Sequence, residues 1–266
     1  MPLFRHLRGD LKRKLESNQL TFGSWLTINH QSVIEIMGTA GFEWLCIDIE
    51  HSAIAISDVI NLIGHIQGNE MQALVRVNEN NPVIIKQVMD AGADGVIVPM
   101  VNSIEDAKKA VASVKYPSDG NRGVGLSRAQ NYGIGFPEYQ EWLKNDAVVI
   151  AQIEHINAVD ELEGILEVPG IDGIIVGPYD LSASMGYPGE FERDDVVEAL
   201  KRVDRICLDK GKPLGFHVIS SDHKKTLEKV NAGYTFLAFS LDFFFLGDLA
   251  RQEMQALKNA TENGKE

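Results

Sequence analysis

The chain has 266 residues and a mass of 29.4 kDa, and its hydrophobic fraction of 44% is enough for a sizeable core, either as two small domains or as one α/β barrel of about 250 residues. A formal charge of −13 and a pI near 5.0 argue against nucleic acid or an anionic membrane as partner, while a small anion held by a local arginine stays possible. Cys46 and Cys207 are the only cysteines, and the N-terminus has no apolar run long enough for a signal peptide or a span, so no disulfide framework and a cytoplasmic setting are expected.

In chain order, residues 11–18 form a short amphipathic helix leading into a first strand over residues 21–26. Residues 32–37 read as helix, and Gly41 turns the chain into a second strand over 44–49. Ser57 is the expected N-cap of a helix to Ile66, and residues 72–77 make strand three. Pro82 suits the first turn of a helix ending near Ala91 and Gly92. Residues 95–98 make strand four, and Ser103 caps a helix over 104–114. Residues 116–145 include seven Gly or Pro and read as a long functional loop with a helix inside it. Strands five and six cover 147–154 and 171–176, a helix covers 194–210, and strand seven covers 214–218. A helix over 223–231, strand eight over 235–239 and a last helix to about Leu257 complete the pattern, with a polar tail at 259–266 expected to be disordered. Eight strands alternating with helices, without a linker, predict a single (β/α)8 barrel over residues 1–258.

Strand five runs into Gln152-Ile153-Glu154, and Asp180 lies in the loop that leaves strand six. Parallel strands in a β-α-β unit put both acids at the same end of the sheet, and Gln152 and Glu154, two apart, share one face. Two carboxylates converging there make a site for a hard divalent cation. With no His or Cys cluster at zinc spacing, oxygen-ligated Mg²⁺ or Mn²⁺ is the expected ion. Glu50 and His51 after strand two and Arg76 in strand three fall at the same end, where barrel enzymes carry their chemistry. Each has a plainer reading: Asp180 as a helix cap, Glu154 as a surface acid with Arg76 as its salt-bridge partner, and His51 as a hydrogen-bonded loop residue. Their shared placement favours a site. No predicted strand contains a lysine, which disfavours a Schiff-base mechanism. The ends of strands seven and eight, Ile219-Ser220-Ser221 and Ser240-Leu241-Asp242, lack a Gly-rich phosphate cradle, so the substrate is expected to be non-phosphorylated.

At these residues, over about 22–250, the chain resembles the HpcH/HpaI family of class II pyruvate aldolases. The matching motifs are Ile47-Asp48-Ile49-Glu50-His51, Val75-Arg76, Val98-Pro99-Met100-Val101, Arg122-Gly123-Val124-Gly125, Gln152-Ile153-Glu154 and Gly177-Pro178-Tyr179-Asp180-Leu181-Ser182-Ala183-Ser184-Met185-Gly186. The resemblance implies a (β/α)8 barrel assembled as a homohexamer, a trimer of dimers that exchange the last helix. It also implies reversible cleavage of 4-hydroxy-2-oxo acids to pyruvate and an aldehyde. By that likeness Glu154 and Asp180 bind the metal, Arg76 holds the pyruvate oxygens, and Gln152 lies in the pocket. Trp25, Gly177, Pro178 and Tyr179 are counted with the substrate site, and His51, oriented by Asp90, assists proton transfer. Residues 120–137 are expected to shape the aldehyde site. His155, Val77, Ser240 and His217 stand where the family usually has Thr, Pro, Gly and an apolar residue. A citrate-forming condensing enzyme or another 2-oxo-acid lyase, and a catalytically silent binding barrel, are the competing functions.

Overall fold

The computed structural model describes residues 10–263. Short apolar runs form eight parallel strands: β1 (Thr21–Leu26), β2 (Trp44–Asp48), β3 (Gln72–Arg76), β4 (Gly95–Val98), β5 (Val148–Ile153), β6 (Gly173–Val176), β7 (Leu214–Val218) and β8 (Phe236–Leu241). They pair in sequence order, and β8 returns to β1 to close a (β/α)8 barrel. Helices start where the sequence supplies caps: Asn81 accepts from the Val83 amide ahead of Pro82–Asp90, and Ser103 from the Asp106 amide ahead of Ile104–Val114. The helix Ile56–Gly68 differs from expectation, because Ala55 occupies its N-cap without a side-chain bond and Ser57 lies inside the first turn.

The two-residue period of each strand divides its side chains between two cores. Outward positions such as Leu45, Ile47 and Val75 pack under the helices. Inward positions, among them Trp44, Cys46, Leu74, Ile97, Val148, Ile150 and Phe236, fill the barrel. Trp44 stacks on Phe236 at 4.4 Å and donates to Thr21 Oγ1 at 2.7 Å. A Cβ at Gly23 would lie 1.9 Å from the Trp44 ring, so only glycine fits there. The first helix, Asp10–Glu16, plugs the N-terminal mouth: Leu11 and Leu15 join the inner core, and Lys12 pairs with Asp172.

The long segment over 116–145 does not lie at the C-terminal mouth. It follows a helix that runs down the barrel wall and leads into the start of β5, so chain direction alone puts it at the N-terminal face. Asn121 and Arg122 donate their amides to the carbonyls of Ala112 and Lys115, and Arg128 donates Nη1 to Ala91 O and Nη2 to Gln67 Oε1, both at 2.9 Å. Within one chain, residues 120–137 therefore do not shape the mouth that holds Glu154. The last helix, Asp242–Asn263, also runs six residues past Leu257. Every described side chain from Arg251 to Glu262 is exposed, as are Phe243 and Leu246, while Phe245 packs on Phe42 and Phe239. Among the described residues no helix is long and apolar enough to cross a membrane.

The anchor of the long segment has a pH consequence. Asp94 is buried and accepts from the Ala73 amide at 2.7 Å and from Gln67 Nε2 at 3.2 Å. Burial pushes its carboxyl up to about 7, against the pull of those bonds and of Arg128. Between its ordinary value near 3.8 and about 7, the folded chain keeps a proton that the unfolded chain has released. This group's stabilising contribution is therefore complete below pH 4 and lost as pH rises through 7. Asp94→Asn should make the fall in melting temperature between pH 5 and pH 8 smaller than in the unmodified chain. Parallel pH profiles for the two proteins would contradict this account.

Candidate active site

The same inward alternation that fills the barrel carries polar groups at its C-terminal end. Above Trp44 and Cys46 the next inward position of β2 is Asp48; above Leu74 it is Arg76; above Val148 and Ile150 come Gln152 and Glu154. Asp48 and Arg76 are register partners in the β2–β3 ladder. Asp48 receives Arg76 Nε at 3.0 Å on one oxygen and Nη2 at 2.6 Å on the other, the planar fork of a guanidinium on a carboxylate. The amides of Glu50 and His51 also donate to Asp48, at 3.0 and 3.2 Å. Burial works against its charge, yet Arg76 and these amides hold the carboxyl below its usual range. The Arg76 guanidinium lies 4.6 Å from the Trp25 ring centroid and 3.3 Å from Glu50 Oε2.

Glu154 is buried at the end of β5. Oε1 accepts the Met100 amide at 2.6 Å, and Oε2 accepts Gln152 Nε2. Met100 takes φ 51° to deliver that amide, a left-handed conformation for a non-glycine residue next to the site. A Cβ on Gly177, the residue after β6, would stand 2.9 Å from Glu154 Oε2 and 3.0 Å from Glu154 Cβ, so glycine lets the chain pass close to this side chain. Burial, with the charges of Glu50 and Asp180, raises the Glu154 carboxyl to about 7 against its hydrogen bonds. Burial, Asp48 and Asp180 likewise raise Glu50 to about 7 against Arg76. Asp180 is exposed in the first turn of Pro178–Ser184, whose N-cap is Gly177, so it does not cap that helix.

These groups surround a cavity of about 270 Å³, the scale of a small molecule. Trp25, His51, Arg76, Gln152, Gly177, Pro178, Tyr179 and Asp180 all line it, and Glu154 accepts a hydrogen bond from Gln152 without lining it itself. His51 is largely exposed, with Nε2 3.7 Å from Glu50 Oε2. Asp90 is the expected site residue that one chain does not bring here. It ends the helix Pro82–Asp90, four residues before Asp94, whose amide bonds to Ala73 near the start of β3. The length of β3, about 15 Å, separates that level from the mouth. Asp90 Oδ1 is buried and has no hydrogen-bond partner among the described residues.

Two contributions escaped the sequence reading. Asp48 carried no role there, although a lone acid beside a lone arginine in two apolar strands was a usable signal. The Met100 amide leaves no side-chain signature. His217, already singled out in the sequence as a departure from the family, lines the cavity too, edge-on to Trp25 with ring centroids 5.1 Å apart. His155, by contrast, caps the helix Ile156–Asp160 by accepting the Asn157 amide on Nδ1 at 3.1 Å.

A sequence profile described as HpcH/HpaI aldolase/citrate lyase matches residues 21–246. The hydroxypyruvate/pyruvate aldolase of Roseobacter denitrificans is 34% identical over 236 residues, covering 88% of this chain and 91% of the relative. The 2-keto-3-deoxy-L-rhamnonate aldolase of Escherichia coli K12 is 32% identical over 255 residues, covering 95% and 94%. A crystal structure of an HpcH/HpaI aldolase/citrate lyase family protein from Burkholderia cenocepacia superposes with a TM-score of 0.88 at 32% identity, covering 94% of this chain and 99% of that one. With a closed barrel, a polar cavity at its C-terminal mouth and likeness along nearly its whole length, the chain belongs to the HpcH/HpaI aldolase/citrate lyase family.

Proposed function

We propose that this carbon–carbon lyase is a metal-dependent class II aldolase that reversibly cleaves a 4-hydroxy-2-oxo acid into pyruvate and an aldehyde, as a cytoplasmic enzyme with neither nucleic acid nor membrane as partner. The observation that carries the reading is the crowding of Glu50, Glu154 and Asp180 at a cavity that also presents Arg76. Burial first, and then the charge of Asp180, raises both Glu50 and Glu154, a surplus of carboxylate that a cation would answer, and an arginine in the same cavity suits a keto acid.

The residues fit a divalent ion. Glu154 and Asp180 offer carboxylate oxygens, and Gln152 Oε1 is buried without a partner among the described residues. Two protein carboxylates would leave the rest of the ion's shell to substrate and water. Mg²⁺ or Mn²⁺ held there would supply a Lewis acid at the 2-oxo oxygen. Arg76 spends Nε and one Nη2 hydrogen on Asp48, leaving the rest of its five N–H donors for the carboxylate and 2-oxo oxygens. Asp48 and Trp25 hold the fork still, so its charge is in place when the C3–C4 bond breaks and negative charge collects on the 2-oxo oxygen. His51 takes the C4 hydroxyl proton as the aldehyde forms and returns a proton to C3 to give pyruvate.

Asp90 can serve His51 only from another copy of the chain, because within one chain the two lie at opposite ends of the barrel. A homo-oligomer, built as a trimer of dimers that exchange the last helix, would bring such faces together. Phe243, Leu246, Met254 and Leu257 support it, as exposed apolar residues on a helix whose outer half is exposed at every described side chain.

The reading predicts exchange of pyruvate methyl protons with deuterated water, abolished by a chelator and restored by Mg²⁺ or Mn²⁺. Arg76→Lys should lower that exchange by about 10²–10³, the usual worth of an oriented donor at a developing oxyanion. No exchange in the unmodified protein would overturn the aldolase reading, and near-normal exchange in Arg76→Lys would reduce Arg76 to a salt-bridge partner of Asp48. For the shared site, His51→Ala and Asp90→Ala should each be impaired alone, the former by about 10²–10⁴ in kcat. Dissociated and reassembled together, they should regain activity in the sites that combine an intact His51 with an intact Asp90. A mixture no more active than its parents, or a monomer at micromolar concentration, would remove Asp90 from the reaction.

A further inference from the structure

Strand β8 is irregular where it meets β1. Gly23 pairs with Ala238 but Trp25 pairs with Leu241, so β8 advances three residues while β1 advances two. Within that bulge Ser240 takes φ 54°, the left-handed region that explains why glycine suits this position. The turned Ser240 carbonyl accepts from Ser24 Oγ at 3.0 Å and contacts His217 Nε2 at 3.2 Å. A carbonyl oxygen can only accept, so Nε2 of His217 carries the hydrogen, and in the neutral ring Nδ1 is left with a bare lone pair. Burial, reinforced by the charge of Arg76, drives the imidazole pKa down to about 3 against the Ser240 bond and Asp48, so the ring is neutral at physiological pH. Trp25 fixes the ring plane at 73° to its own. The contact with Ser240 is the only hydrogen bond of the ring among the described residues, and the ring lines the cavity. Backbone bulge, tautomer and aromatic contact together make a rigid hydrogen-bond acceptor at a place where an apolar side chain would offer only surface.

β3 and β7 lie four strands apart in a closed barrel of eight, hence on opposite walls. A substrate held by its keto-acid end at Arg76 therefore extends toward His217 with its aldehyde-derived end. Resting on the aldolase reading, we infer that His217 is a specificity-determining residue whose Nδ1 accepts a hydrogen bond from a hydroxyl on the aldehyde portion of the substrate. Hydroxylated aldehydes are then favoured over their deoxy counterparts, whereas a terminal carboxylate at this position meets a lone pair and gains nothing.

The test is the addition of pyruvate to glyceraldehyde, propionaldehyde and succinic semialdehyde, with kcat/KM measured for the unmodified enzyme, His217→Leu and His217→Gln. The unmodified enzyme should prefer glyceraldehyde over both others. His217→Leu should lower the glyceraldehyde-to-propionaldehyde ratio about tenfold, chiefly through a higher KM for glyceraldehyde, the worth of one hydrogen bond. His217→Gln, whose amide can both donate to Ser240 and accept from substrate, should recover most of the ratio. A ratio unchanged in His217→Leu, or lowered equally in His217→Gln, overturns the inference. If His217→Leu does not fold, the unmodified enzyme decides: equal use of glyceraldehyde and propionaldehyde overturns it. Exchange of pyruvate methyl protons in the same unmodified preparation separates the two failures, since its absence sinks the aldolase reading itself, and its presence with the wrong ratios sinks only the role of His217.

Discussion

Asp48 and Arg76 meet at the last register pair of β2 and β3, and the two bonds between them decide what the other charged groups at the barrel mouth can do. A buried guanidinium needs a carboxylate and a buried carboxylate needs donors; each satisfies the other, and breaking such a pair from one side costs roughly 3–5 kcal/mol. The positive charge is thereby largely committed. Desolvated by burial and facing Asp180 with too little compensation, Glu50 and Glu154 both have carboxyls pushed up to about 7. In the proposed reaction a divalent ion would answer that imbalance, and a 2-oxo acid would use both the ion and the guanidinium donors that Asp48 leaves free.

Packing and chemistry here share one geometric rule. Each strand points alternate residues inward, and the inward column changes from large apolar side chains at the bottom to charged and amide groups at the top. Trp25 stands at the change of layer, with its indole under Arg76 and against His217. The helix Asp10–Glu16 closes the other mouth with Leu11 and Leu15, so the barrel is open to substrate from one end. Positions that look unfavourable in isolation, φ 51° at Met100 and φ 54° at Ser240, each aim a backbone group: an amide at Glu154 and a carbonyl at His217.

The strands were legible because short apolar runs bounded by Gly, Pro and caps have few other readings, and β4 and β7 fall where the residues alone put them. The convergence of Glu154, Asp180, Arg76 and His51 followed from parallel strand direction. What failed was a question of which end. Residues 120–137 and Asp90 both come after a helix has carried the chain back down the barrel, so neither faces the mouth of its own chain. Loop length and composition say nothing about that, but chain order does. The Asp48–Arg76 pair needed the β2–β3 register, and the His217 tautomer needed the bulge at Ser240; neither is encoded in any local pattern.

That the carboxylates at this mouth are arranged for a divalent cation is the claim on which the remaining chemistry rests. Titration of the protein with Mn²⁺, followed by the loss of the free-ion electron paramagnetic resonance signal, measures it without reference to turnover. One tight Mn²⁺ per chain, weakened by Glu154→Gln and by Asp180→Asn while the protein stays folded, is the result expected. No Mn²⁺ binding by the unmodified chain, or binding untouched by both substitutions, would contradict the account.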